Sequence, residues 1–333
     1  MKKSLNTVLT LLIVLLLAAP AFSAEFVMKF GISQPKGSDR ATSMEYFEKE
    51  LEKRSKGRID VENYFGAVLG NEREMMDMVA TGALQGTRGG MFTDANPKFV
   101  IFMMPFLVNG WEQATRLVQS DWAMEIAKDA AKNGYHVPAI GVSNGFRAWS
   151  NNVRPIKSAA DFKGLRIRVP QQEVYQLSMK AFGANPIAMA YSEVYQSLQM
   201  NVLDGQDNAP SNIWDYKIFE QQKYVTISNY ATGPDPFMVN LAWFKKLPAD
   251  LQAIHDEVAR EAMKLCDEIQ QKHEGEIILK LAQAQNVDSL NYVKMDALKE
   301  FRERAKPVYD HFIKKGDFSQ KDLETAMAIA AGK

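Results

Sequence analysis

Two periods of hydrophobic positions alternate along this chain. Residues 27–32 and 59–64 read as strands, whereas residues 41–54 carry Met44, Phe47 and Leu51 on one helical face. Residues 72–81 repeat the helical pattern with Met75, Met76 and Val79 inward, and Gly82 stands where a left-handed C-cap is wanted. Strand and helix in alternation predict an α/β domain with mainly parallel strands. Residues 136–142 read as a strand that runs through Ser143-Asn144-Gly145 into a second extended segment, 146–151, a place for the chain to cross into another lobe. Residues 161–169, 172–182 and 192–199 supply a second strand and helix set, and the chain returns through 237–241. Pro248 opens a long helix with Leu251, Ile254, Val258, Ala262, Leu265 and Ile269 at helical spacing. The pattern weakens toward Leu281, and Gly275 admits a kink or break.

One short strand concentrates the chemistry. In Gly164-Leu165-Arg166-Ile167-Arg168-Val169-Pro170 three apolar residues alternate with two arginines, and Pro170, which has no N–H for a ladder bond, ends the strand. Arg168 is thereby placed at the carboxyl end of its strand. Ligands of open α/β sheets bind there, and a guanidinium offers a planar fork of donors matched to a carboxylate. With Leu203-Asp204-Gly205-Gln206-Asp207-Asn208 further on, the pattern predicts an acid-binding cleft.

Composition narrows the setting. Lys2 and Lys3, the apolar run 8–19 and the small residues up to Ser23 form a secretory signal peptide over residues 1–23, with cleavage after Ser23. The run falls short of the ~20 apolar residues of a spanning helix, so a membrane anchor is the weaker reading. Without its signal the chain has 38 basic and 40 acidic side chains, a net charge of −2, which argues against a nucleic acid partner. The remaining 310 residues suit two domains. A single cysteine, Cys266, excludes an internal disulfide. His136, His255, His273 and His311 show no metal-ligand spacing, and no metal or cofactor is expected.

Around the two segments stand Asn144-Gly145-Phe146-Arg147 and Met189-Ala190-Tyr191-Ser192-Glu193-Val194-Tyr195. Together with Lys29-Phe30-Gly31, Gly82-Ala83-Leu84, Gln221-Gln222-Lys223-Tyr224 and Leu247-Pro248-Ala249-Asp250-Leu251, they resemble the substrate-binding proteins of tripartite ATP-independent periplasmic (TRAP) transporters. The resemblance implies an α/β, two-lobed periplasmic-binding-protein fold with a long helix spanning both lobes. The expected division is lobe I, residues 24–145 plus 233–273, and lobe II, residues 146–232 plus 274–333. It further implies a periplasmic monomer that performs no chemistry, closes on a small organic acid and delivers it to small and large membrane subunits.

By the same resemblance Arg168 holds the ligand carboxylate, Arg147 closes on it, Asn208 adds an amide and Tyr191 lies beneath it. Asp207 stands where the family more often has glutamate. Trp149 and Trp214 flank these motifs and are candidate walls. The stretch Gln85-Gly86-Thr87-Arg88-Gly89-Gly90-Met91-Phe92 offers glycines and apolar groups where sugar-acid binders place polar ones, which makes Arg88 and Phe92 candidate contacts. An acid with an apolar or aromatic body is expected on that ground, with a uronate or C4-dicarboxylate as alternatives. The remote alternative is a serine hydrolase, since Gly141-Val142-Ser143-Asn144-Gly145 matches a nucleophile elbow and Asp235 and His255 follow in triad order. Against it, His255 falls inside a helical pattern and Ser143 precedes an extended segment.

Overall fold

The structure is a computed structural model describing residues 24–89, 92–142 and 145–333. The signal stretch 1–23, Gly90, Met91, Ser143 and Asn144 lie outside the described residues.

The chain opens with β1 (Phe26–Gly31), α1 (Asp39–Arg54), β2 (Ile59–Tyr64), α2 (Glu72–Thr81) and β3 (Gly86–Arg88). β1 pairs in parallel with both β2 and β3, as strand–helix–strand crossovers require. Local chemistry sets the helix ends. Ser38 caps α1 by accepting from the Ala41 N–H, Asn71 and Glu74 close a capping box on α2, and Gly82 ends α2 at φ 82°. A 3-10 segment, Pro97–Met103, α3 (Trp111–Val118), α4 (Asp121–Asp129), β4 (Tyr135–His136) and β5 (Ile140–Gly141) follow. Residues 136–142 are therefore two strand fragments and not one strand. Pro138 between them has no N–H to offer a ladder.

The second lobe contains β6 (Phe146–Asn151), β7 (Arg166–Val169), α5 (Glu173–Phe182), β8 (Asn185–Ala188), α6 (Val194–Gln199), β9 (Gly205–Asn208), α7 (Pro210–Asp215) and β10 (Tyr224–Thr232). The chain then returns as β11 (Asp235–Asn240) and α8 (Leu241–Phe244) to the first lobe. It finishes with α9 (Ala249–Gln283), β12 (Ser289–Tyr292), α10 (Met295–Lys315) and α11 (Gln320–Ala330). The first sheet has the order β2-β1-β3-β11-β4, with β5 on β11; the second runs β12-β10-β6-β9-β7-β8. The chain thus changes sheet between Gly141 and Phe146 and again between Thr232 and Asp235. The Gly233 N–H donates to the Gly145 carbonyl at 2.9 Å, tying the two crossings together.

α9 runs 35 residues without interruption, through Gly275. One glycine costs a helix roughly 1 kcal/mol relative to alanine. Packing on α1 in one lobe and on α7 and β12 in the other outweighs it. The apolar stretch Phe99 to Met104 is buried in a core cluster that reaches into both lobes. It shows neither period because it is buried on every side.

Gly205 of β9 is required by close approach. A Cβ there would stand 2.1 Å from the Ser150 carbonyl oxygen and 2.6 Å from the Asn151 Cβ of the neighbouring strand. Gly205→Ala should therefore lower the unfolding free energy by roughly 1–3 kcal/mol. Equilibrium urea unfolding followed by circular dichroism reads this as a fall in midpoint; an unchanged midpoint refutes the steric role.

Candidate ligand-binding site

The carboxyl ends of β7 and β9, the start of β6 and the return crossing at Gly233 and Pro234 meet the first lobe around a cavity of about 50 Å³. Arg147, Arg168, Tyr175, Tyr191 and Asn208 line it from the second lobe. Gln34 and Glu72 face them, with Phe92 and Met103 closing one side. The lobes already touch at its margin, where the Thr93 hydroxyl donates to the Gln172 side-chain oxygen at 2.7 Å.

Arg147 is a fixed wall. Its Nε lies 2.9 Å from both carboxylate oxygens of Asp207, and its Nη2 donates to the Asp207 carbonyl at 2.6 Å. Tyr230 donates its hydroxyl to the same carboxylate at 2.7 Å, and the Tyr175 ring lies 4.2 Å from the guanidinium carbon. Burial works against the charge on Arg147, but Asp207 outweighs it and holds the guanidinium above its ordinary pKa. The pair sits diagonally across β6 and β9, whose register sets Trp149 opposite Asp207. Asp207, which stands where the family more often has glutamate, is thus the counter-ion that orients Arg147.

Arg168 has no such partner. Its side chain is 1 % exposed, Nε and Nη2 donate to the Met189 carbonyl at 2.9 and 2.7 Å, and Nη1 is buried with no hydrogen-bond partner. Among the described residues no carboxylate pairs with it. The Tyr191 ring stands 4.8 Å from its guanidinium carbon and supplies only a π-face. Desolvation pulls its pKa down to about 10, so it stays charged at neutral pH. Asn208 accepts from the Ala209 N–H at 2.9 Å and the Asn212 amide at 3.0 Å. With its oxygen occupied, Asn208 has its amide nitrogen, a donor, to offer the cavity.

Three sequence candidates lie elsewhere. Trp149 shares the face of Arg147 on β6 but is one pleat deeper, packed among Phe162, Phe182, Tyr230 and Phe301. Trp214 stacks on Phe219 with ring centroids 4.6 Å apart, while Asn212 of the same helix reaches the cavity. Arg88 is buried on β3, where Nη2 meets Asp235 at 2.6 Å and Nη1 donates to the Ser43 hydroxyl at 2.7 Å. Arg40 reaches the same Asp235 at 3.1 Å, so the cluster ties β11 to α1. Of the two tryptophans expected to wall an aromatic ligand, Trp149 is therefore a core residue and Trp214 a half-buried one outside the cavity.

Ser143 of the hydrolase alternative lies outside the described residues. Of its supposed partners, Asp235 is engaged by Arg88 and Arg40, and His255 Nδ1 lies 2.9 Å from Asp256. His136 also contacts that Asp256 oxygen, at 2.8 Å. The fold therefore gathers two histidines that sequence spacing left scattered. The cavity residues that sequence reasoning missed are Gln34, Glu72, Met103, Gln172, Tyr175 and Asn212. Glu72 and Gln172 stand at or before the first residue of their helices, a position that periodicity does not score.

Two α/β lobes joined by two crossings and one long helix, closing on a cavity with an unpaired buried arginine, define a solute-binding protein of the periplasmic type. The chain belongs to the bacterial extracellular solute-binding proteins of family 7, DctP, which it matches over residues 30–315; these are the organic-acid-binding proteins of TRAP transporters. A solute-binding protein of Verminephrobacter eiseniae is 33% identical over 245 residues, 73% of each chain. The C4-dicarboxylate-binding periplasmic protein DctP of Rhodobacter capsulatus is 28% identical across 89% of both chains. A TRAP periplasmic solute-binding protein of Haemophilus influenzae, solved with bound L-gulonate, superposes with a TM-score of 0.86 at 27% identity, covering 91% of this chain and 99% of that one. No helix among the described residues is long and apolar enough to cross a membrane.

Asp207→Asn should destabilise the protein by roughly 3–5 kcal/mol, because it strands the Arg147 charge in the interior. Thermal unfolding at neutral pH checks this. A melting temperature like the parent's would mean that Arg147 does not depend on its carboxylate.

Proposed function

We propose that the protein is exported by a cleaved signal peptide and takes up a small organic acid between its lobes. It hands that acid to the small and large membrane subunits of a TRAP transporter and carries out no reaction itself. The observation that carries the binding role is Arg168, a buried cation with one nitrogen unsatisfied and, among the described residues, no carboxylate in an ion pair with it. A ligand carboxylate supplies both the charge and the acceptor that the protein withholds. Arg147, Asn208 and Tyr191 complete the anion site, and Phe92 touches the body of the ligand.

The working lobes in this reading are residues 24–145 with 233–273 and residues 146–232 with 274–333, in a monomer. Closure on the acid brings Gln34 and Glu72 of one lobe against Arg168 of the other. The relatives support the carboxylate but differ in the rest of the ligand, since one is named for C4-dicarboxylates and another was solved with L-gulonate. An aromatic body is disfavoured, because Trp149 and Trp214 are absent from the cavity lining.

A thermal-shift screen over aldonates, uronates, dicarboxylates, keto acids and aromatic acids finds the ligand, which at a hundred times its Kd adds ~2.7 kcal/mol. Arg168→Ala should then cost roughly 2–5 kcal/mol, a 30-fold to several thousand-fold loss in affinity by calorimetry. Arg168→Lys should restore little, since an ammonium cannot reproduce the fork. Affinity within threefold of the parent in Arg168→Ala would remove the carboxylate from this position. Arg168→Met should abolish binding while leaving the unliganded protein at least as stable as the parent, because it removes a desolvated charge that nothing in the protein pairs. A large drop in its melting temperature would mean that Arg168 is a structural residue.

A further inference from the structure

Outside the cleft, the first lobe gathers two imidazoles and a carboxylate. His136, His255 and Asp256 present three ligand atoms, Nε2, Nδ1 and Oδ1, that all lie within 4.8 Å of one another. None of the three lines the ligand cavity. His136 ends β4, a strand of two residues at the edge of the first sheet, which pairs with β11 alone among the described residues. His255 and Asp256 are consecutive on α9. A sheet edge and a helix 120 residues further on thus meet at one oxygen: Asp256 Oδ1 stands 2.8 Å from His136 Nε2 and 2.9 Å from His255 Nδ1.

The surroundings fix both rings. His136 stacks on Phe244 with ring centroids 3.7 Å apart. The His255 side chain has no exposed surface, and Phe47, Phe237, Trp243 and Phe244 stand edge to face with it. His136 and Asp256 are 22 % and 23 % exposed, so the group opens to water on one side and backs onto dry core on the other.

Hydrogen bonding alone leaves one nitrogen stranded. For Asp256 to accept from both rings, His255 has to carry its proton on Nδ1 and bury a bare lone pair at Nε2, and that nitrogen has no hydrogen-bond partner. Moving the proton to Nε2 places an N–H among aromatic rings, whose faces are weak acceptors. The Nδ1 lone pair then faces the Asp256 carboxylate, and the two repel unless a cation lies between them.

The donors decide which cation. Two imidazole nitrogens and one carboxylate oxygen suit Zn²⁺ and its first-row neighbours, whereas Ca²⁺ and Mg²⁺ take oxygen ligands. Zinc bonds to nitrogen and oxygen are roughly 2.0–2.2 Å, so the ligand atoms of a tetrahedral site stand about 3.3 Å apart. The contacts at 2.8 and 2.9 Å have to open by a few tenths of an ångström, which the partly exposed His136 and Asp256 side chains allow.

We infer that His136, His255 and Asp256 form a site for one zinc-class divalent cation, with water in the fourth position, and that the ion fastens the edge strand β4 to α9. Binding replaces the two hydrogen bonds to Asp256 by three bonds to the metal, each ring keeping its proton on the nitrogen turned away from the ion. The inference does not rest on the cleft, so failure of the acid-binding reading leaves it standing.

The experiment takes the untagged protein stripped with EDTA and titrates it with ZnCl₂ by calorimetry, then with CoCl₂ read by visible absorption. One Zn²⁺ per chain is expected, with a four-coordinate Co²⁺ spectrum that Zn²⁺ abolishes. The melting temperature should rise with Zn²⁺ and not with Ca²⁺ or Mg²⁺. His136→Gln, whose amide can still donate to Asp256, and Asp256→Asn should each weaken Zn²⁺ roughly a hundredfold, the upper end of what loss of even an outer-shell partner costs. In EDTA, His136→Gln should melt with the parent, which separates a lost ligand from a lost fold. His273→Ala and His311→Ala, which lie outside the group, should leave Zn²⁺ affinity unchanged. Absence of Zn²⁺ binding in the parent, or Ca²⁺ binding as tight as Zn²⁺, overturns the site. So does an affinity that His136→Gln leaves within threefold, and loss of binding in His273→Ala or His311→Ala would assign the metal to surface histidines.

Discussion

The cleft is organised around a charge that the folded protein does not balance. Taking a guanidinium out of water costs several kcal/mol even after local relaxation, and interiors ordinarily recover that with a carboxylate. At Arg147 the recovery is complete, through Asp207, Tyr230 and a backbone carbonyl. At Arg168 it is partial, through the Met189 carbonyl and the face of Tyr191. The contrast assigns different work to two arginines that lie in one cavity. Arg147 is preorganised wall, whereas Arg168 has no carboxylate partner among the described residues and keeps Nη1 without a hydrogen bond.

That arrangement depends on how the chain is threaded. β7 and β9 lie parallel and adjacent, so their carboxyl ends bring Arg168 and Asn208 to one edge of the sheet. β6 runs antiparallel to β9, which brings its first residues, including Arg147, to the same edge. The opposing groups, Gln34 and Glu72, come from loop and helix starts of the other lobe. Between the lobes run two short crossings linked by the bond from Gly233 to Gly145, and α9, which packs on both.

The ion pair of Arg88 and Arg40 with Asp235 shows why candidate residues have to be separated by environment. Like Arg168, Arg88 is almost wholly buried and ends a strand at the cleft side of its sheet. Its guanidinium is consumed by Asp235 and Ser43, and what it secures is the return strand beside the second crossing between the sheets. The cluster around Asp256 is similar, with His136 stacked 3.7 Å from Phe244 and His255 packed among aromatic rings. Both clusters brace the first lobe.

Much of the architecture was legible in the chain. The periodicities of β2, β6, α1 and α2 gave those elements to within two residues, and Gly82 closes α2 as its position required. The alternation around Arg168 carried its place at a strand end, because period-2 patterning and a terminal proline are local properties. Trp149 and Trp214 could not be judged in that way. Adjacency to a motif says nothing of depth, and one pleat separates the cavity from the core. The unbroken apolar run at Phe99 to Met104 has no period because it is buried all round, and Glu72 gave no signal because periodicity does not score a helix's first residue. What the sequence determined by itself was the set of local elements and the cation at a strand end, since both follow from short-range chemistry. Only the tertiary structure decided that Asp207 would neutralise Arg147, that no carboxylate among the described residues would form an ion pair with Arg168, and that Glu72 would share its cavity, since pairing of charges depends on which distant segments the two sheets bring together.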